Sequence, residues 1–102
     1  MAEDGFGLPV EDGLKLKNVF SDYANIRKVI IYGSRAKGNY KPGSDIDLTI
    51  VGQLSWDEFH RLEFDLEELM LPYRIDLSLQ AHIDNPELVE HIDRVGKAFY
   101  TM

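Results

Sequence analysis

Cysteine is absent from this chain of 102 residues. Its absence excludes disulfides, thiolate metal sites and a cysteine nucleophile. It also fits a reducing compartment, so we expect a cytoplasmic protein. No apolar run is long enough to span a membrane, and no early apolar run resembles a signal peptide. We therefore expect no membrane partner.

Basic residues are also scarce, with 11 Lys and Arg against 18 Asp and Glu, which gives a net charge of −7. Proteins that grip long nucleic acids neutralise phosphates with Lys and Arg, and an acidic chain repels them. We therefore expect no direct grip on DNA or RNA. A nucleotide that arrives with its own Mg²⁺ remains acceptable, because the cation changes the local charge.

The chain length and a hydrophobic content of 44% predict one small folded domain, residues 1–102. Residues 1–13 are rich in glycine and acidic residues and read as a loop or loosely docked arm. Phe6, Leu8 and Val10 are the residues that we expect to pin this arm to the body.

Three segments have apolar residues at helical spacing. The first spans Leu14–Tyr23. The second opens with a capping box of Ser55 and Glu58 and stops before Pro72. The third starts at the N-cap Asn85, with proline at the next position, and its predicted apolar face consists of Leu88, Ile92, Val95 and Phe99.

Three segments read as strands. Val29–Tyr32 is a short β-branched run that indicates a buried strand, whereas Asp45–Val51 and Arg74–Gln80 alternate between polar and apolar residues. Residues 34–38 form a tight connection, and Lys41–Ser44 has the Pro-Gly order of a type II turn. The order predicts an α+β fold in which a small mixed sheet carries helices on one face. The polar sides of the second and third strands would lie on the open face.

The strongest functional signal comes from two runs taken together, Gly33-Ser34 and Asp45-Ile46-Asp47. Gly33 ends a strand and lets the backbone approach a ligand. Ser34 begins a turn whose N–H groups and hydroxyl can face a phosphate. Asp45 and Asp47 share one face of a strand, where two carboxylates repel each other unless a cation lies between them.

Mg²⁺ suits this carboxylate pair, since it is usually held by one or two carboxylates together with substrate phosphates. Asp76, on the polar side of another strand, could supply a third ligand for two-metal catalysis. Each element alone has a simpler explanation, namely an ordinary turn, a solvated strand face or a surface acid. Together they favour function, because acidic side chains are poor strand formers.

The two halves of this motif lie in the runs Ile31-Tyr32-Gly33-Ser34-Arg35-Ala36-Lys37-Gly38 and Ser44-Asp45-Ile46-Asp47-Leu48. Together they resemble the signature of the minimal nucleotidyltransferase (MNT) family of the DNA polymerase β superfamily. Arg74-Ile75-Asp76-Leu77 resembles the strand that carries the third acid in that family. The resemblance covers essentially the whole chain and implies the polymerase β-like nucleotidyltransferase fold.

The resemblance implies transfer of a nucleotide, usually AMP from ATP, with two Mg²⁺ ions. It assigns catalysis and metal binding to Asp45, Asp47 and Asp76. MNT proteins are typically paired with a small all-helical protein of the HEPN or nucleotidyltransferase-substrate-binding type. In HEPN pairs the MNT protein is the antitoxin and can adenylylate a tyrosine of the toxin.

Several assignments stay open. Arg35 and Lys37 follow Ser34 and are interpreted either as nucleotide contacts, like Gly33 and Ser34, or as surface charges. The histidines show no ligand spacing, and Trp56 reads as core. A non-catalytic antitoxin that masks its partner is the alternative function, although such a protein has no need of three acids. Antibiotic nucleotidyltransferases form a third class, but they have longer chains with a second domain.

Overall fold

The structure, a computed structural model, describes residues 5–102. The first four residues of the predicted arm, 1–13, lie outside this range. The described elements, in chain order, are α1 (Val10–Ser21), β1 (Ile26–Tyr32), α2 (Gly33–Lys37), β2 (Ile46–Gly52), α3 (Trp56–Glu67), β3 (Ile75–Leu79), a 3₁₀ turn (Gln80–His82), α4 (Pro86–Val95) and β4 (Lys97–Thr101). No helix within residues 5–102 is long and apolar enough to cross a bilayer.

The four strands form one mixed sheet in the order β3-β2-β1-β4. β1 is antiparallel to both β2 and β4, whereas β3 is parallel to β2. A parallel pair needs a crossover connection, which α3 supplies. The starts of β2 and β3 therefore lie together beside the end of β1, so that Asp47 is the register partner of both Asp76 and Tyr32.

One face of the sheet is covered by α1 and α3, and the main core lies between. Leu16 and Phe20 of α1 and Leu62 of α3 are fully buried there, with the inward residues of β1 and β2. Each such side chain contributes about 1.5–3 kcal/mol of hydrophobic stabilisation. The hydroxyl of Tyr23, which lies two residues after α1, donates to Asp65 of α3 at 2.6 Å and so links α3 to the segment that follows α1.

On the opposite face, α4 packs against β1. Tyr32 and Ile92 are buried but do not belong to the main core cluster, and the ring of Tyr32 contacts that of His91 edge-on, with centroids 6.1 Å apart. The α+β class with a small mixed sheet is confirmed. α4 adds a helix over β1, so the open part of this face is the part over β2 and β3.

The described part of the arm, residues 5–13, contacts the body at two of the three expected residues. Leu8 is fully buried and Phe6 packs on Phe99, as expected for residues that pin the segment. Val10 is exposed instead, because α1 begins there, four residues earlier than the predicted helix.

Two other expectations are wrong. Phe99 does not belong to the last helix, since α4 ends at Val95 and Phe99 lies in β4, which pairs with β1. Gly96 is extended, and this conformation ends the helix. Trp56 is not a core residue, because 53% of its surface is exposed at the start of α3.

Candidate active site

Two aspartates face each other across neighbouring strands. Asp47 is the second residue of β2 and Asp76 the second residue of β3, and the parallel register pairs them directly. Asp45 lies just before β2 begins. Asp47 is half-buried, whereas Asp45 and Asp76 are exposed. The register thus brings the predicted acids to one end of the sheet.

The carboxyl of Asp47 has a pKa above its usual range. Burial is the main cause, because it disfavours the charged form, and the negative charges of Asp76 and Asp45 add to it. His91 acts in the opposite direction. The site therefore concentrates negative charge on hard oxygen atoms, which is the chemistry that fits Mg²⁺.

The side chains of Asp45, Asp47 and Asp76 are not arranged as a metal-binding group. Among residues 5–102, no group of three His, Cys, Asp or Glu side chains is arranged so that it could hold a metal ion. Carboxylates repel one another, and two of these three lie on exposed positions from which their side chains can rotate. Metal binding by Asp45, Asp47 and Asp76 stays a prediction that requires such rotation.

Gly33 is the residue that lets Asp47 adopt this position. Its φ is +72°, in the left-handed region, and an added Cβ would overlap with Oδ2 of Asp47. The glycine thus forms one wall of a cradle for the Asp47 carboxylate. Ser34 follows in the first turn of α2, where backbone N–H groups have no partner within the helix.

The guanidinium of Arg35 is bonded to backbone carbonyls and is not available for the predicted contact with nucleotide phosphates. It is 2% exposed, and its guanidinium donates to the carbonyl of Ser44 from Nε (3.2 Å) and Nη2 (2.8 Å), and to the carbonyl of Phe6 from Nη1 at 2.8 Å. The rings of Tyr40 and Tyr73 lie 5.4 and 5.1 Å from it. Arg35 therefore joins the two halves of the motif, because Ser44 immediately precedes Asp45. A contact with nucleotide would require these bonds to break.

We expect Arg35→Ala to lower the free energy of unfolding by about 3 kcal/mol, because the half-buried carbonyls of Ser44 and Phe6 lose charge-assisted hydrogen bonds and two rings lose their packing partner. Arg35→Lys should recover only part of this loss, since an ammonium cannot bond both carbonyls with the same fork. Chemical denaturation measures both. Unchanged stability in Arg35→Ala, together with weaker ATP binding, would instead support a phosphate contact.

Lys37 is exposed in the last turn of α2, followed by the left-handed cap Gly38. The loop then reaches a turn in which Ser44 N–H donates to Lys41 O at 3.0 Å and Gly43 has φ of +82°, as in the predicted type II turn. The Lys41 N–H also donates to Ser44 Oγ at 2.8 Å. These bonds fix the chain just before Asp45.

A sequence profile of the family described as "Polymerase beta, Nucleotidyltransferase" matches residues 14–102. The chain belongs to this nucleotidyltransferase family. Membership of the polymerase β superfamily, predicted from the Gly-Ser and Asp-x-Asp motifs, is thereby confirmed.

Relatives of known structure share the fold. A chain of a toxin–antitoxin crystal structure with AMP-PNP superposes with a TM-score of 0.70 at 18% identity, over 88% of this chain and 73% of that one. A chain of the complex between tri-AMPylated HEPN toxin of Shewanella oneidensis and its MNT antitoxin gives 0.66 at 16% identity, over 91% and 72%. At these identities the likeness establishes the fold.

A sequence relative matches a shorter stretch. A Methanocaldococcus jannaschii protein named for a protein adenylyltransferase activity is 50% identical over 32 residues, which are 31% of this chain and 32% of that protein. The match therefore spans about a third of each.

Several residues near Asp47 and Asp76 were not predicted. Ser78 Oγ donates to Thr49 Oγ1 at 2.9 Å, and a hydrogen bond joins the Tyr32 hydroxyl to Ser78. Burial raises the pKa of Tyr32, with smaller contributions from Asp76 and Asp47 and an opposing one from Ser78. The sequence carries a signal for them, because alternation along β2 and β3 places Thr49 and Ser78 on the same side as Asp47 and Asp76.

His91 is the other unexpected neighbour. It lies in α4, is half-buried, contacts the ring of Tyr32 and interacts electrostatically with Asp47. The sequence carries a weak signal for it, because it follows Leu88 by three residues on an amphipathic helix. His60 and His82, by contrast, contact Trp56 at the other end of β2.

Proposed function

We propose that this protein is a Mg²⁺-dependent nucleotidyltransferase that transfers AMP from ATP to a hydroxyl group of a small helical partner protein. The observation that carries the proposal is the pairing of Asp47 with Asp76 on adjacent parallel strands, beside Gly33 at the end of β1. The proposed partner is of the HEPN or nucleotidyltransferase-substrate-binding type, and the protein acts in the cytoplasm as the antitoxin of a toxin–antitoxin pair.

The residues divide the chemistry between them. Gly33 and Ser34 bind the triphosphate at the start of α2, with the exposed Lys37 available to phosphate oxygens. Asp45 and Asp47 hold the nucleotide's cation, and Asp76 completes the ligand set. When bound, Mg²⁺ neutralises the triphosphate and stabilises the charge that develops during transfer. Arg35 is not assigned to the nucleotide, because its guanidinium is engaged with Ser44 and Phe6.

The transfer itself is a substitution at phosphorus. The acceptor oxygen forms a bond to the α-phosphorus of ATP, and the bond from that phosphorus to the bridging oxygen of the β-phosphate breaks. Pyrophosphate leaves with the electron pair of the broken bond. The acceptor proton passes to the Asp76 carboxylate and then to solvent, since Asp76 is exposed.

The comparisons support a protein acceptor. One structural relative was crystallised as a toxin–antitoxin with AMP-PNP, and another contains an AMPylated HEPN toxin with an MNT antitoxin. The charge of the chain points the same way. Its net charge is −7 and α3 carries many acids, so a basic protein surface is a better match than a nucleic acid.

The decisive experiment is to incubate the chain with ATP, Mg²⁺ and the small helical protein encoded beside its gene, and to weigh the partner by mass spectrometry. We expect the partner to gain the mass of AMP and pyrophosphate to be released. A partner that binds but gains no mass would favour the masking antitoxin.

We expect Asp76→Asn to lower the turnover rate by about a hundredfold, because the acceptor loses its proton acceptor and the metal loses a ligand. The affinity for a non-hydrolysable ATP analogue should change little, since Asp76 lies on β3, one strand further from Gly33 than Asp47. Single-turnover kinetics and equilibrium titration separate the two quantities. Equal losses in both would assign Asp76 to nucleotide binding instead.

A further inference from the structure

A groove lined by both apolar and charged side chains lies along the edge of the sheet, on the face opposite Asp76. It is bounded by the end of α3, by the loop that follows it and by β3, and its volume is about 500 Å³. Its apolar lining includes Leu66, Leu71, Ile75 and Leu77. Ile75 and Leu77 point toward the core side of the sheet but are only half-buried, because β3 is the edge strand.

The rim of the groove is charged, mostly with one sign. Glu63 and Glu67 lie one turn apart on α3 and both line the groove, with Arg74 contributed by the following loop. Met70, 84% exposed, adds a flexible apolar side chain at the mouth. Apolar grooves with a polar rim accept amphipathic segments, and methionine adapts well to such partners.

We propose that this α3–β3 groove is the docking surface for a basic amphipathic helix of the partner protein. Apolar side chains of that helix fill the space over Leu66, Ile75 and Leu77, and its Lys or Arg residues pair with Glu63 and Glu67. A second copy of this chain is a poor occupant, because it would bring its own net charge of −7 to the same acidic rim.

The groove also lies in the right place to deliver an acceptor. Ile75 and Leu77 flank Asp76 in sequence, and alternation along β3 turns Asp76 to the other face of the same edge strand. A helix seated in the groove is therefore separated from the acids by one strand only. A neighbouring segment of the partner needs only to pass around this edge to present its hydroxyl. That the docked helix belongs to the protein that accepts AMP rests on the proposed function.

The docking surface is tested with two helical peptides of about 18 residues that share apolar residues at positions i, i+3, i+4 and i+7. One carries Lys and Arg at the remaining positions and the other carries Glu. At about 0.15 M salt, we expect only the basic peptide to bind. The NMR chemical shift changes of the protein should then be confined to residues 63–77. Failure of both peptides to bind, or shift changes elsewhere, would overturn the proposal.

Charge-matched variants separate docking from general attraction. Glu63→Lys with Glu67→Lys should weaken binding of the basic peptide by about tenfold or more, which corresponds to about 1.4 kcal/mol. Asp22→Lys with Asp84→Lys changes the net charge equally at exposed loop positions outside the groove, and should leave binding within about threefold. Equal loss in both double variants would contradict a specific groove.

The full partner then distinguishes the two proposals. If the wild-type chain docks the partner and the groove variant does not, yet no AMP is transferred, the proposed function fails and the docking surface stands. If AMP is transferred equally by the wild-type chain and the Glu63→Lys, Glu67→Lys variant, the docking proposal fails and the transferase stands.

Discussion

Asp47→Asn should reduce AMP transfer by about a thousandfold or more, which corresponds to about 4 kcal/mol of lost transition-state stabilisation. Asp47 is the central acid, since it is the register partner of Asp76 and its carboxylate also lies against Gly33. An amide keeps the shape of the side chain but loses the charge that holds a cation. Rapid-quench or mass-spectrometric transfer assays measure the effect.

The same substitution should not weaken the fold. The pKa of Asp47 is raised in the folded chain, so its ionised form is less favourable there than in the unfolded chain. Ionised Asp47 therefore lowers the free energy of unfolding. This destabilisation is greatest at pH values above the pKa of Asp47 in the folded chain, and it disappears as the pH falls below the pKa in the unfolded chain. Removing the charge should therefore leave the unfolding free energy at neutral pH equal or slightly higher.

Two outcomes would contradict this account. Full transfer by Asp47→Asn would exclude a metal-ligand role, and a clear loss of stability would show that the carboxylate is structural. Thr49→Val is a useful comparison, because Thr49 lies two residues further along the same face of β2 and is fully buried. It removes a hydroxyl bonded to Ser78 rather than an acid, so we expect some stability loss with most transfer activity retained.

Local signals in the sequence were sufficient for much of the fold. Ser55 accepts from the Glu58 N–H, and Glu58 accepts from the Ser55 N–H, as the capping box predicts. The alternation of Asp47 and Asp76 with apolar neighbours correctly placed both acids on one side of their strands. Such features depend on residues that are close in sequence, so their geometry can be inferred without knowing the tertiary structure.

The expectations that failed depended on distant partners. Phe99 continues the helical spacing of Ile92 and Val95. Its segment is a strand because it pairs with β1, on the side of β1 that β2 leaves unpaired. Arg35 resembles a surface charge in sequence, but the carbonyls that bury it belong to Ser44 and Phe6. His91 approaches Asp47 because α4 packs over β1, a placement that periodicity alone does not specify.

Gly33→Ala should reduce transfer by about a hundredfold while lowering stability only modestly. The added methyl group would overlap with Oδ2 of Asp47, and a carboxylate at the end of a side chain can rotate away. The fold therefore loses about 1–2 kcal/mol for placing alanine in the left-handed region, whereas the site loses the position of its central acid. Displacements of about 1 Å are enough for a hundredfold loss in rate.

Gly38→Ala is the matched control for this prediction. Gly38 also has a positive φ, +92°, and caps the same helix α2, but an added Cβ there meets no atom within 4 Å. Both variants should lose similar stability in chemical denaturation, and only Gly33→Ala should lose transfer. If the two variants lost transfer equally, the effect would come from the backbone of α2 rather than from Asp47.

ATP-analogue titration then separates the two roles that Gly33 could have. A glycine that only lets phosphate approach the backbone would, when changed to alanine, weaken analogue binding as much as it slows transfer. A glycine that seats the Asp47 carboxylate would slow transfer more than it weakens binding, because the misplaced acid matters most as charge develops. We expect the second pattern, since the atom nearest to the added methyl group is Oδ2 of Asp47.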